Sequence, residues 1–260
     1  MASNLFRFFL QLTLSCMLVL PVYSQDMRIS EEDVRYEDKF VEATLLFNKG
    51  KRKEAIKILD TLRREMQSPS STVFLTLAKW NYEEKDIAQC ENFLKQAIAT
   101  DPGSEWILQF GFQFFKETGR FEDANAMADK LIALQPQKVI WRDQKIRWLM
   151  AIQKYTYAIA ALESKEMERG FSTDVSLQKI ECFQKTGQTD LAVKEAERLI
   201  DTYPDEKKYL QLAAAVLHEA GRVSEARPYL EKILLLDPRD ADAKAGLAIL
   251  SNQRVTGDDV

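Results

Sequence analysis

The chain has 260 residues, 46% of them apolar and 29% charged, with only nine Gly and seven Pro; this is a globular composition with little room for turn-rich β-structure. Acids number 40 against 36 Lys and Arg, a net charge of −4, so the basic excess that displaces counterions from nucleic acid is missing. The single histidine, His218, leaves no material for a zinc site built on several His and little for a Ser–His–Asp arrangement.

The first 24 residues carry one charge, Arg7, followed by an apolar run from Phe8 to Leu20. Rising about 1.5 Å per residue, a helix of that length falls short of the ~30 Å hydrocarbon core of a bilayer. Pro21 breaks the run, and Val22-Tyr23-Ser24 offers small or modest residues where a signal peptidase reads. Charged start, apolar middle and small-residue end stand in the order of a secretory signal peptide, residues 1–24, cleaved after Ser24. An uncleaved anchor is the alternative. Cys16 also admits a lipoprotein reading, but Thr13-Leu14-Ser15 fits the required preceding triplet poorly and the apolar run continues through Met17–Leu20. Beyond the leader only Cys90 and Cys182 remain, too few for a disulfide scaffold. They are expected to be unpaired.

Residues 25–35 form a lead-in, in which Ser30 caps a helix whose first turn holds Glu31, Glu32 and Asp33. A 34-residue period follows. Cys90, Ala124, Ala158, Ala192 and Ala226 are each 34 apart; Pro102, Pro136, Pro204 and Pro238 fall on a second grid, with Gly170 at its missing node; Gly119, Gly187 and Gly221 share a third. Gly50 and Ala55 extend the pattern upstream after one extra residue. Within a period the apolar steps are three and four, as in Ala124, Met127, Ala128, Leu131 and Ile132, the mark of a helix with one buried face. Each unit therefore reads as helix, Gly-node turn, helix and Pro-marked turn. The units run 36–70, 71–104, 105–138, 139–172, 173–206 and 207–240. A capping helix, 241–254, and a flexible tail, 255–260, end the chain.

A 34-residue helix–turn–helix unit with these landmarks resembles the tetratricopeptide repeat (TPR) family. Gly187-Gln188-Thr189-Asp190-Leu191-Ala192 with Pro204, and Gly221-Arg222-Val223-Ser224-Glu225-Ala226 with Pro238, are the most faithful stretches. The family's small residue in the middle of the first helix is met by Ala43, Ala78 and Ala214, while Phe112, Ile146 and Ile180 depart from it. The fourth unit is the weakest, with Gln153 at the Gly node. The resemblance implies an all-α, right-handed superhelical solenoid of about six units plus the cap. From Phe40-Val41-Glu42-Ala43 onward, behind a mature end that begins with Gln25, the chain is also similar to exported TPR proteins of the Bacteroidota. That implies the periplasm of a Gram-negative cell.

No catalytic constellation is legible. His218 has no second His or Cys nearby, Cys90 occupies a small-residue node, and Gly50-Lys51 lacks the flanking Gly and Ser/Thr of a P-loop. No cofactor and no metal site is expected. In the TPR family the first helix of each unit lines a concave groove, and its register selects Phe40, Thr44 and Phe47, then Leu75, Lys79 and Tyr82, then Trp106, Gln109, Gln113 and Lys116. It continues through Asp143, Arg147 and Met150 to Asp174, Leu177, Glu181 and Gln184. Of these, Lys79, Tyr82, Trp106, Gln109, Gln113, Lys116, Asp143, Arg147 and Glu181 are the expected partner-binding residues, a mixture of aromatic, amide and charge suited to an extended peptide. Phe40 and Thr44 stand where the Lys and Asn of a carboxylate clamp belong, so binding of chaperone C-termini is not implied. The expected function is a non-enzymatic, exported protein-binding scaffold. An envelope glycan-binding module, with Trp106 and Tyr82 stacking on sugars, is the alternative, and an enzyme comes third.

Overall fold

The computed structural model describes residues 31–257, so the signal peptide, Cys16 and the Ser30 cap lie outside the described residues. Among those described are thirteen α-helices, one 3-10 turn and no strand. In order they are α1 (Glu31–Asn48), α2 (Arg52–Glu65), α3 (Ser71–Glu83), α4 (Ile87–Thr100), α5 (Glu105–Glu117), α6 (Phe121–Leu134) and α7 (Val139–Ala151). There follow α8 (Tyr155–Arg169), α9 (Thr173–Lys185), α10 (Thr189–Thr202), α11 (Lys207–Glu219), α12 (Arg227–Leu236) and α13 (Ala241–Gly257). Helix α13 runs three residues beyond the expected cap. The chain divides into two compact units, one ending at Ile107 and one beginning at Leu108, with the boundary inside α5. In the first, α1 packs on α2, α2 on α3 and α3 on α4; in the second, consecutive helices from α6 to α13 pack in the same way.

The turn inside each repeat has one geometry. After α1, α3, α5, α7, α9 and α11 the node residue takes a positive φ: Gly50, Lys85, Gly119, Gln153, Gly187 and Gly221. The next amide then reaches back five residues, as in Lys154 N–H to Leu149 O and Gln188 N–H to Phe183 O, both 2.8 Å. This closes the carbonyls that a helix end leaves open. Two nodes hold this conformation without glycine. At the Pro node of the fourth repeat, Gly170 adopts φ +82° and ψ −176°, a region closed to residues with a Cβ.

The prolines at 102, 136, 204 and 238 sit in the turns between repeats. Pro228 instead lies in the first turn of α12. It lacks the N–H that would bond the carbonyl of Ser224, and the preceding Val223–Ala226 winds as a 3-10 turn. The 34-residue landmarks pack the core: Ala55, Cys90, Ala124, Ala158, Ala192 and Ala226 are all buried, and so are Ala43, Ala78, Phe112, Ile146, Ile180 and Ala214 on the first helices. Short side chains at the former set let paired helices approach. Cys90 and Cys182 are free thiols, and burial pushes their pKa values up to about 12 and about 11. Neither is a ready nucleophile.

Candidate functional site

The first-helix register brings Lys79 and Trp106 together. Both line a hollow of about 240 Å³ in the first unit, with Thr72, Leu75, Ser104 and Ile107. Helix α3, capped by the Ser70 hydroxyl accepting from Val73 N–H, sets Lys79 on the exposed side, and Trp106 in the first turn of α5 is 70% exposed. A side chain that large standing in water is an unusual expenditure of apolar surface.

In the second unit Asp143 and Arg147 line a hollow of about 420 Å³ with Ile146, Lys165, Asp174 and Leu177. Asp143 accepts from Lys165 Nζ at 2.7 Å, which leaves the exposed Arg147 guanidinium with no side-chain partner among the described residues. Lys165 belongs to α8, a second helix, so a register confined to first helices could not select it. On α5, Gln113 is exposed but donates to Glu117, and Lys116 lies 4.7 Å from the Phe112 ring centre. Tyr82 and Gln109 are half-buried, and Glu181 is exposed on α9 outside both hollows. Phe47, also selected by the register, is buried and stacks on Trp80 with ring centroids 4.4 Å apart. It belongs to the core.

A feature without a sequence signal is a buried charge cluster between α8, α9 and α10. Lys179 Nζ donates to Glu166 Oε2 at 3.0 Å and to Glu195 Oε2 at 2.8 Å; Arg198 pairs with both carboxylates, and Ser176 Oγ donates to Glu195 Oε1 at 2.7 Å. Burial lowers the Lys179 pKa, but its hydrogen bonds to Glu195 and Glu166 outweigh that and hold it above the ordinary value. Burial likewise raises Glu166, and the bonds from Arg198 and Lys179 bring it below the ordinary value. Two cations face two anions, so the cluster is closed on itself. Among the described residues no group of His, Cys, Asp and Glu is placed to hold a metal ion, and no helix is long and apolar enough to cross a membrane.

The tetratricopeptide repeat model of the family scan matches residues 174–206, which span α9, α10 and the turn that follows. No curated protein is matched. Among solved structures, the chain is similar to Naa15/Naa10 bound to HypK-THB at 11% identity and a TM-score of 0.57, covering 85% of this chain and 35% of that one; the likeness is one of fold. It is also similar to a tetratricopeptide repeat protein from Parabacteroides merdae ATCC 43184, at 15% identity and a TM-score of 0.47 over 85% of this chain and 87% of that one. YrrB, described as a TPR protein with an unusual peptide-binding site, shows 13% identity and a TM-score of 0.41 over 69% and 92% of the two chains.

Proposed function

We propose that the chain, whose residues 174–206 match the tetratricopeptide repeat model, is a non-enzymatic repeat scaffold that captures a protein or peptide partner on its first-helix faces. The observation that carries this reading is Trp106, 70% exposed beside Lys79 over an open hollow. Exposed aromatic anchors next to a cation are the residues that dominate protein–protein binding when a partner covers them. Arg147, with its guanidinium uncommitted, supplies a second contact suited to a carboxylate or a peptide carbonyl. Tyr82 belongs to the proposed contacts of the first unit, and Gln109, Gln113, Lys116, Asp143 and Glu181 to those of the second. One matched structure is of Naa15/Naa10 bound to HypK-THB, which accords with this reading. The charged, apolar and small-residue order of residues 1–24 supports export, and the resemblance to exported TPR proteins of the Bacteroidota points to the periplasm of a Gram-negative cell.

The test is capture from envelope extracts by the chain lacking residues 1–24. Trp106→Ala and Arg147→Ala should each remove the specific partner while helicity and melting stay unchanged. Capture that is indifferent to both substitutions would refute the surface. Sequencing the amino terminus of the exported protein checks export: cleavage should leave Gln25 first.

A further inference from the structure

The buried cluster at Lys179 has a counterpart one repeat earlier in which the cations stay and the anions are gone. Subtracting 34 from Lys179, Ser176, Arg198, Glu166 and Glu195 gives Lys145, Arg142, Ser164, Ile132 and Ala161. These five line a single hollow of about 240 Å³ between α6, α7 and α8, with Asp129 and Tyr157 at its edge. Every donor of the later cluster is still a donor. Both acceptors, Glu166 and Glu195, have become apolar, and Ala161 in place of Glu195 leaves space where a carboxylate stands one repeat on.

The remaining carboxylates compensate poorly. Arg142 and Lys145 are buried in a row of core positions: apart from Ser176 and Lys179 one repeat on, the places 34 and 68 residues away hold Phe74, Leu108 and Leu210 for the first, and Leu77, Gly111 and Ala213 for the second. Arg142 Nη2 donates to Glu168 at 2.6 Å and Lys145 Nζ to Asp129 at 2.5 Å. Those two carboxylates are 43% and 56% exposed, where ion pairs are screened by water and readily exchanged. Arg142 Nη1, shielded from solvent, has no acceptor. A buried charged donor left without a partner is costly.

We propose that this hollow is a receptor for an external carboxylate, presented as a glutamate side chain presents its own, held by Arg142, Lys145 and the Ser164 hydroxyl. It takes the place that Glu195 fills one repeat later. Within its unit the hollow shares no lining residue with the one that holds Asp143 and Arg147, so its occupancy is tested separately from the partner capture proposed above.

Isothermal calorimetry on the chain from Gln25 onward tests this with glutarate, with neutral glutaramide, with inorganic phosphate, and with the peptide acetyl-Gly-Glu-Gly-amide, all at one ionic strength. Glutarate or the peptide should bind, with glutaramide at least tenfold weaker and phosphate weaker than glutarate. Tighter binding of the peptide marks an acidic side chain of a partner as the source, tighter binding of glutarate a free acid. Ala161→Glu restores the missing internal carboxylate, so it should raise the melting temperature and abolish binding. Lys145→Met, which mimics the apolar residue of other repeats, should keep the fold by circular dichroism and weaken binding at least tenfold. Binding unchanged in Lys145→Met, equal binding of glutaramide, or tighter binding of phosphate would overturn the assignment.

Discussion

Phe112 meets the face of Trp148 edge-on, with ring centroids 5.5 Å apart and planes at 88°. Trp148 in turn stacks on Phe121, which meets Tyr157 at 4.9 Å, so one row of rings ties α5, α7, α6 and α8 together. Phe112 stands where Ala78 and Ala214 stand in other repeats, and the aromatic row accounts for the larger residue. Truncating it leaves a cavity against an indole that cannot collapse into the gap. Phe112→Ala should cost about 3–5 kcal/mol in urea denaturation, with the Trp148 emission shifted to the red and helicity kept below the transition. A loss under about 1 kcal/mol would show that the row is not structural.

The turn nodes make a second prediction. Lys85 and Gln153 hold φ of 62° and 60° in the place where Gly50, Gly119, Gly187 and Gly221 hold 71–83°. A residue with a Cβ pays about 1–2 kcal/mol for this conformation, partly offset because glycine loses more entropy on folding. Lys85→Gly and Gln153→Gly should therefore each stabilise by about 0.5–1 kcal/mol. Gly187→Gln should destabilise by a similar amount, and since no atom lies within 4 Å of a Cβ built there, that cost is backbone strain alone. Melting curves of the three variants should separate in that order.

The period made the helices legible because its landmarks are steric requirements: a small residue where two helices touch, a left-handed residue where the chain reverses, a proline where it cannot continue. Gln153 shows that the backbone requirement survives when its residue signature is lost, so the fourth repeat keeps the turn geometry of the others inside its helix pair. Trp106 stands exposed, whereas Phe47 and Leu75, which the same first-helix register selects, are buried. The charge cluster was not legible, since its members come from three helices, 10 to 32 residues apart in sequence, and look singly like solvated polar residues. The 3-10 turn at Val223–Ala226 was foreshadowed only by Pro228, which the period passes over because it falls off the proline grid.

The cluster sets the third prediction, through pH. Glu166 is held below its ordinary value of 4.5, so its share of stability is present above that value and is lost as pH falls through the depressed one. Lys179 is held above its ordinary 10.5, so its share is present below that value and is lost as pH rises through the elevated one. The buried Cys90 and Cys182 thiols, raised from 9.0, add their own loss on the basic side, so the melting temperature should be flat from roughly pH 5 to pH 9 and fall on both sides. Lys179→Met leaves the buried Glu195 only Arg198 and Ser176 as partners, so it should cost less than the full loss of a buried pair, about 1–3 kcal/mol at neutral pH. It also removes one cation from Glu166, so the acid limb should begin at higher pH. An acid limb unmoved by the substitution would mean that Lys179 does not hold Glu166 ionised.

The last prediction concerns the C-terminal helix. Asp240 caps α13 by accepting from Ala243 N–H at 2.9 Å, and Lys207 bridges Asp240 and Asp237 at 2.9 and 2.8 Å, fixing where the helix starts against the sixth repeat. Ala243 and Leu250 are buried, while Asp242 and Lys244 face water, so one side of α13 seals α12 and the other is solvated. At Gly246 a Cβ would lie 2.9 Å from Leu230 Cδ1, a measure of how closely the two helices approach. Deleting 241–260 would uncover Ile233 and Leu230 beside Leu235 and Leu236, which are already exposed, and join them into one apolar patch. A repeat array needs a terminal unit with a polar outer face to stay in solution. The truncated chain should aggregate at concentrations where the full chain is monodisperse, as light scattering would read. Replacing Leu235 with Glu in the truncated chain should restore part of its solubility, because that side chain is 82% exposed and already stands in water. A truncation as soluble and as stable as the full chain would show that α13 does not cap the array.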